Sequence, residues 1–196
     1  MDRVIYCTAR IDAADAPSAY IDQDIYLKAL MAVGAVDQIE YGHYVARAKQ
    51  VPLAIPSRKG RPQLVRPPLQ LPAGLPLSIA SDGNGGQIVL ATGLVREEKG
   101  SDVNVATHLL VDVLGGNVDA AVVISNDSDL GLPLKVARNC IPVGLVNPSP
   151  GFMAGALQGE SADGVGRHFW RQLHPEDFTA HQMPNPAGTF TSPAGW

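Results

Sequence analysis

The N-terminal part of the chain changes from one hydrophobic periodicity to another and back again. Residues 4–11 are rich in β-branched and aromatic side chains, which predicts a strand. Apolar residues at helical spacing then predict a helix over 17–33, and Gly34 follows it as a stop. Apolar and polar residues alternate over 38–45, which predicts a second strand. A strand, a helix and a strand of these lengths indicate a crossover unit and therefore a parallel sheet.

The segment 47–93 interrupts this rhythm. Its seven prolines exclude a long regular helix; they stand at positions 52, 56, 62, 67, 68, 72 and 76. A turn cluster at 81–86 separates the apolar runs 77–80 and 87–90, which predicts a β-hairpin. We therefore expect 47–93 to be an insertion, composed of a basic loop and a hairpin, at the rim of the sheet.

A regular α/β pattern resumes at Lys99. An apolar stripe predicts a helix over 102–114, and Gly115 and Gly116 end it. The stripe consists of Val103, Ala106, Leu110 and Val113. Residues 120–124 form a short uninterrupted apolar run, which is typical of a central parallel strand covered on both faces.

The C-terminal third continues the alternation and then loses it. We predict a helix over 130–139 and a strand over 141–146. Prolines and the scarcity of apolar runs indicate an extended arm over 175–196. The expected fold class is therefore α/β, with one domain over 1–174 and a mostly parallel central sheet.

Composition excludes several classes of protein. Hydrophobic residues make up 45% and charged residues 17%, which favours a globular domain over a disordered chain. The net charge of −4 gives no global basic field. Neither a run of about 20 apolar residues nor a signal peptide is present, so we expect a cytoplasmic protein without a membrane partner. Cys7 and Cys140 are far apart, and we expect reduced, mostly buried thiols.

Two carboxylates and two small polar residues follow the predicted strand 120–124. Ser125, Asn126, Asp127 and Asp129 fall where ligands bind in open parallel sheets, beyond the carboxyl ends of the strands. A bound cation keeps two neighbouring carboxylates ionised, and hard oxygen ligands suit Mg²⁺ or Mn²⁺. The alternative interpretation is that the two aspartates cap the helix that follows.

A second polar loop precedes the helix 102–114. Gly100 permits a tight turn, and Ser101 or Asp102 can cap the helix. Capping is the better interpretation of this loop alone. Because both acidic loops leave the same edge of an α/β sheet, Asp102 becomes a candidate ligand beside the other two aspartates. Lys99 is a candidate phosphate contact, with a solvated lysine as the alternative.

These motifs resemble the NYN domains, which are relatives of the PIN nucleases. The matching stretches are 98–104, 106–110, 122–130, 141–148 and 193–196, together with the strand 4–11. The resemblance covers most of the chain outside 47–93. It implies a PIN-like three-layer sandwich and metal-dependent cleavage of RNA.

The resemblance also implies roles for particular residues. Asp102, Asp127 and Asp129 fall on the family's acidic positions and would be both catalytic and metal-binding. Ser125 and Asn126 fall on its adjoining polar positions and would contact the substrate.

One departure from the family pattern opens an alternative function. NYN domains normally begin with a strand that carries an Asp-x-x-Asn motif and another metal-binding aspartate. Here the strand 4–11 resembles the family's second strand, and no such motif precedes Val4. Either the start is missing or part of the site is lost. The alternative is therefore a non-catalytic module that binds RNA or a protein.

The predicted insertion carries a local excess of positive charge. No acidic residue stands between Glu40 and Asp82. The basic residues there are Arg47, Lys49, Arg58, Lys59, Arg61 and Arg66. We call the segment 47–66 the basic arm; it is expected to follow the backbone of single-stranded RNA, with a solvated loop as the alternative.

The sequence also bears on a histidine metal site, on a phosphatase function and on the oligomeric state. The histidines show no metal-ligand spacing and are expected to be structural. Asp127 and Asp129 also suggest the Asp-x-Asp of haloacid-dehalogenase phosphatases, but two polar residues separate the strand from Asp127. That class is therefore excluded. A homo-oligomer is compatible with the sequence, which does not determine the oligomeric state.

Overall fold

The computed structural model describes residues 3–57, 60–68, 70 and 73–195. The chain divides into two compact units, the first formed by Met1–Tyr44 with Glu98–Trp196 and the second by Val45–Glu97. Within the described residues, no helix is both long enough and apolar enough to cross a bilayer.

Strands and helices are numbered in chain order. The strands are β1 (Ile5–Arg10), β2 (Gln38–Pro52), β3 (Ala54–Ile55), β4 (Gln63–Leu64), β5 (Leu77–Ser81), β6 (Gln87–Lys99), β7 (Ala121–Ile124), β8 (Val143–Asn147) and β9 (Phe169–Gln172). The helices are α1 (Pro17–Ala32), α2 (Ser101–Leu114), α3 (Gly131–Arg138) and α4 (Pro175–Ala180). Single 3₁₀ turns occur at Ser128–Leu130 and Gly155–Leu157.

The N-terminal crossover is confirmed. Strands β1 and β2 pair in parallel, from Ile5 opposite Gln38 to Arg10 opposite His43, and α1 connects them. Proline occupies the start of α1, where its missing N–H is tolerated. Gly34 follows the helix with φ +66°, the left-handed conformation that glycine adopts most easily. Leu27 and Leu30 form the buried face of α1.

A parallel three-stranded sheet, in the order β7-β8-β9, forms the other part of the first unit. Helices α2 and α3 pack against each other beside it. The main hydrophobic core includes Val113 of α2, Leu134 of α3 and Leu145 of β8. The fold is therefore a mixed α/β arrangement with more than one sheet.

The position of β7 in its sheet corrects one expectation. The strand was predicted to be central and covered on both faces, but β8 occupies the centre and β7 lies at the edge. Val123 is buried, whereas Val122 and Ile124 are 63% and 64% exposed. An apolar run predicts a strand but not its place in a sheet, which is why the prediction was wrong. Val103 of the predicted stripe is likewise exposed, and Leu109 is buried instead.

The second unit contains longer strands than predicted. The hairpin of β5 and β6 is confirmed, with Leu77 opposite Ala91 and Ser81 opposite Gln87. Strand β2, however, continues to Pro52 rather than ending at Val45. Most side chains after residue 45 are exposed, so this part of the strand has no alternation of apolar and polar positions that could have revealed it.

The C-terminal region also departs from the prediction. The segment expected to be an extended arm begins with α4 and continues to a buried Ala187, which forms a bridge with Phe190. Strand β9 was not predicted. Cys7 and Cys140 are free thiols, but Cys140 is exposed rather than buried.

The core can be tested with two leucines of the same helix. Leu134→Ala removes a side chain that is 1% exposed, and we expect a loss of about 2–5 kcal/mol in the free energy of unfolding. Leu132→Ala is the matched control because Leu132 is 72% exposed, and it should cost less than about 0.5 kcal/mol. Urea denaturation measures both. Equal losses for the two variants would contradict this assignment of the core.

Candidate functional site

At or just beyond the C-terminal end of each strand of the parallel sheet, a polar residue makes hydrogen bonds to the loop 148–154. Beyond β7, the Asn126 Nδ2 donates to Ser149 Oγ (3.0 Å) and to the Phe152 carbonyl (3.1 Å). Its Oδ1 accepts from the Ala154 amide (2.8 Å). Asn126 was predicted to contact substrate; in the structure its side-chain amide positions this loop.

The ends of β8 and β9 complete the same network. Asn147 is fully buried; its Oδ1 accepts from Ser149 N (2.9 Å) and Ser149 Oγ (2.8 Å), and its Nδ2 donates to the Gly151 carbonyl (3.0 Å). Gln172 donates to the Ser149 carbonyl (3.0 Å). Neither Asn147 nor Gln172 was predicted as a site residue. A search for a polar residue at the end of each parallel strand would have found Asn147.

Asp127 caps the turn that follows it. Its Oδ1 accepts from the Asp129 amide (2.9 Å), and Ser125 Oγ accepts from the Asp127 amide (3.1 Å). Leu130, which is buried at the end of the same turn, anchors the segment in the core. The capping interpretation therefore describes a contact that the structure contains. That contact uses only one oxygen atom of Asp127, so it is compatible with a further ligand.

The start of α2 is held differently from the prediction. Ser101 or Asp102 was expected to cap the helix, but Gly100 is the N-cap residue, with φ +96° and no side-chain hydrogen bond. Ser101 lies inside the helix and is buried, and its Oγ has no hydrogen-bond partner in the part of the chain that the structure describes. The prediction was wrong because it assigned the capping role to a side chain.

The backbone of β2 passes directly against this helix start. A Cβ atom at Gly42 would lie 2.5 Å from the Lys99 carbonyl oxygen and 2.8 Å from Ser101 Oγ. No side chain fits at that separation, so the position requires glycine. The contact lies at the start of α2, one residue before Asp102.

Electrostatics connect the two acidic loops. Helix α2 contacts both α3 and the Ser128–Leu130 turn. Although Asp102 is exposed, loss of surrounding water raises the pKa of its carboxyl group, and the negative charges of Asp127, Glu98 and Asp129 raise it further. We call these four residues the acid cluster. Glu98 was not predicted; its place in a run of charged residues next to a helix start was the available signal.

The acid cluster suits a hydrated divalent cation in its ligand chemistry. Carboxylate oxygens are the ligands that Mg²⁺ prefers, and Mg²⁺ keeps several waters while binding through one or two carboxylates. Within residues 3–57, 60–68, 70 and 73–195, no group of three or more acidic, histidine or cysteine side chains is arranged to ligate one metal ion directly.

The remaining predicted contacts are divided. Lys99 is exposed at the end of β6. In the basic arm, Arg58 and Lys59 lie outside the described residues, and Arg61 is exposed. Two other arm cations are paired within the second unit, Lys49 with Glu97 and Arg66 with Asp82 (2.7 Å).

The charge of Asp102 gives a prediction on stability. Loss of surrounding water and the neighbouring carboxylates raise the pKa of Asp102 and so disfavour its ionised form in the folded chain. A carboxyl group with a raised folded-state pKa stabilises the fold only when it is protonated, so wild type loses this stability as pH rises through that pKa. Without metal at neutral pH, Asp102→Asn should therefore melt at or above the wild-type temperature.

Thermal melts across pH, with and without Mn²⁺, measure this effect. The difference in melting temperature between wild type and Asp102→Asn should vanish in acid, below the ordinary pKa of an aspartate. Mn²⁺ should raise the melting temperature of wild type more than that of Asp102→Asn. Asp119→Asn, at an exposed position before β7, is the control and should show neither effect. A lower melting temperature for Asp102→Asn without metal would contradict the electrostatic argument.

Comparisons with known proteins give one partial similarity. No family model matches the chain, and no solved structure matches it. Over 92 residues the chain is 33% identical to the 6-hydroxy-3-succinoylpyridine 3-monooxygenase HspA of Pseudomonas putida (strain DSM 28022 / S16). The match covers 45% of this chain and 28% of that protein. The chain is therefore similar to less than a third of that relative.

Proposed function

We propose that this chain is a metal-dependent ribonuclease domain of the NYN type, which hydrolyses phosphodiester bonds of single-stranded RNA. The observation that carries the proposal is the acid cluster: helix α2 contacts the Ser128–Leu130 turn, and loss of surrounding water together with the charges of Asp127 and Asp129 raises the pKa of Asp102. The chain sequence supplies the second support, because the same aspartates fall on the acidic positions of the family that it resembles.

The accumulated negative charge favours a cation at the cluster. Carboxylates that raise the pKa of a neighbour are in repulsion, and a divalent cation turns that repulsion into attraction. Asp127 retains an oxygen that its cap does not use, and the Asp129 side chain is exposed. These two residues and Asp102 would hold Mg²⁺ or Mn²⁺, in part through water.

The roles of the neighbouring residues follow from their contacts. When bound, the cation would lower the pKa of a water and neutralise charge on the scissile phosphate. Ser125 orients Asp127 through its backbone amide, and Asn126 keeps the loop 148–154 in place. Lys99, exposed and two residues before Ser101, would contact the phosphate.

A PIN-like three-layer sandwich is the fold that we propose for the first unit. The support is its parallel three-stranded sheet with α2 and α3 beside it, together with a second parallel pair of strands, β1 and β2. The similarity to the monooxygenase covers too small a share of that protein to transfer the activity in its name.

A non-catalytic RNA- or protein-binding module is the second candidate. It is favoured by the finding that, in the described part of the chain, no three ligand side chains are arranged to bind one metal directly. Such a module would keep the fold and the basic arm but would not hydrolyse RNA.

The nuclease proposal is tested with Asp127→Asn. Asparagine caps about as well as aspartate, so the thermal melt without metal should be nearly unchanged. Mn²⁺-dependent cleavage of single-stranded RNA should fall at least as much as the roughly 10- to 100-fold that loss of an outer metal partner costs. The control Asp119→Asn also removes one negative charge, but at the N-terminal end of β7, and it should cleave RNA like wild type.

The outcomes separate the two candidate functions. Metal-dependent cleavage by wild type that survives Asp127→Asn unchanged would place a nuclease site elsewhere in the chain. Absence of cleavage by wild type in Mn²⁺ and in Mg²⁺ would replace the nuclease with the binding module.

The basic arm gives an independent prediction. If it follows the RNA backbone, the triple variant Arg58→Ala, Lys59→Ala, Arg61→Ala should weaken binding and flatten its log–log salt dependence by roughly one unit per lost phosphate contact. The control variant, Lys49→Ala with Arg66→Ala, removes cations that are already paired with Glu97 and Asp82, and it should change the slope less. An unchanged slope in the triple variant would make the arm a solvated loop.

A further inference from the structure

A groove in the first unit lies apart from the residues of the acid cluster. Helix α1 and strands β1 and β2, together with Phe190, line an open groove of about 590 Å³. The lining side chains that matter for recognition are Arg10, Asp24, Met31, Ile39, Tyr41 and Phe190. Nothing in the nuclease proposal uses this groove.

Arg10, Asp24, Lys28 and Tyr41 form the polar part of the groove, and Tyr20 packs against Arg10 from outside the lining. The guanidinium carbon of Arg10 lies 5.1 Å from the centre of the Tyr20 ring and 5.7 Å from that of Tyr41, within the range of cation–π contact. Asp24 accepts hydrogen bonds from Arg10 and from Lys28 (2.6 Å). Two cations therefore share one carboxylate, and the charge of the groove is positive by one.

The remaining wall is apolar and accessible. Tyr41 is 49% exposed and Met31 is 46% exposed, and Ile39 and Phe190 lie in the same lining. An exposed ring beside a fixed guanidinium presents one surface for stacking and one for an anion. A nucleotide carries a planar base and a phosphate, and it matches both surfaces.

The register of β1 and β2 relates this groove to the acid cluster. Ala9 pairs with Gly42, so Arg10 and Tyr41 are the neighbours of that pair along their strands. Gly42 in turn contacts the Lys99 carbonyl and Ser101, the residue before Asp102. Because successive residues of a strand face opposite sides, Tyr41 and the groove lie on the other face of β2 from Ser101 and the start of α2.

We propose that this groove binds a nucleobase of single-stranded RNA, with the base stacked on Tyr41 and against Met31, and with Arg10 and Lys28 facing the adjoining phosphate. The inference rests on the proposed function and names a second part of the protein, apart from the acid cluster, that contacts the RNA. The basic arm has no aromatic residue, so stacking has to come from elsewhere. Aromatic stacking accepts any base, and the groove thus selects single-stranded nucleic acid rather than a sequence.

The test measures binding in EDTA, which separates it from cleavage. The probes are a fluorescent oligouridylate and an oligomer of equal length whose sugars carry no bases, both followed by anisotropy. Tyr41→Ala should weaken binding of the oligouridylate roughly tenfold, as expected for one lost stacked base. Tyr41→Phe keeps the ring and should bind like wild type. The baseless oligomer should bind more weakly and equally to all variants.

Two further variants keep the result unambiguous. Tyr44→Ala is the matched control, because Tyr44 is an exposed tyrosine of the same strand that does not line the groove and lies on the opposite face of β2 from Tyr41. Met31→Glu places a negative charge on an exposed helical position and should also weaken binding. Thermal melts show whether each variant is folded. If Tyr41→Ala does not fold, the comparison between the two single variants Met31→Glu and Tyr41→Phe tests the base site instead.

The overturning results are distinct from those of the nuclease test. Oligouridylate binding that is absent in wild type, or equal in wild type, Tyr41→Ala and Met31→Glu, would refute the base site. The base site would also be refuted if nicotinate displaced the fluorescent oligouridylate and uridine monophosphate did not. That result would identify the groove as a site for aromatic carboxylates. Tyr41-dependent binding without Mn²⁺-dependent cleavage would keep the base site and remove only the nuclease.

Discussion

The close approach of the β2 backbone to the start of α2 is the contact on which the candidate site depends. Gly42 lies against the Lys99 carbonyl and Ser101 with no room for a side chain, and no side chain caps the helix. The start of α2 is therefore held by a backbone contact, while Leu109 and Val113 anchor the rest of the helix in the core. Asp102, in the first turn of that helix, lies next to this contact.

The acid cluster places a local electrostatic cost on the folded chain. Each carboxylate that raises the pKa of Asp102 also makes the ionised native state less favourable near neutral pH. Desolvation of the Asp102 carboxyl group is the largest part of this cost. A protein that keeps such a group without a counter-charge gives up stability at one position. Groups of this kind gather at functional sites more often than elsewhere.

Periodicity predicted the elements whose pattern is local. Helices α1 and α2 and the hairpin of β5 and β6 were recognisable because apolar spacing and glycine stops lie within a few residues of each other. The edge position of β7, the groove between Arg10 and Tyr41, and the network of Asn147 were not, because each depends on which distant segments become neighbours. Glu98 and the capping role of Gly100 were missed for a related reason: one is defined by charge across two loops, the other by a backbone angle.

The edge position of β7 has a consequence for how copies of the chain meet one another. An edge strand has backbone donors and acceptors on one side with which a strand of a second copy can pair. Val122 and Ile124 of β7 add exposed apolar surface next to this edge. Because β7 has only four residues, it can form few hydrogen bonds with a strand of another copy. Short edge strands are one of the ways in which proteins avoid this pairing. Encounters through this edge should therefore be brief, and crowding should lengthen them only slightly.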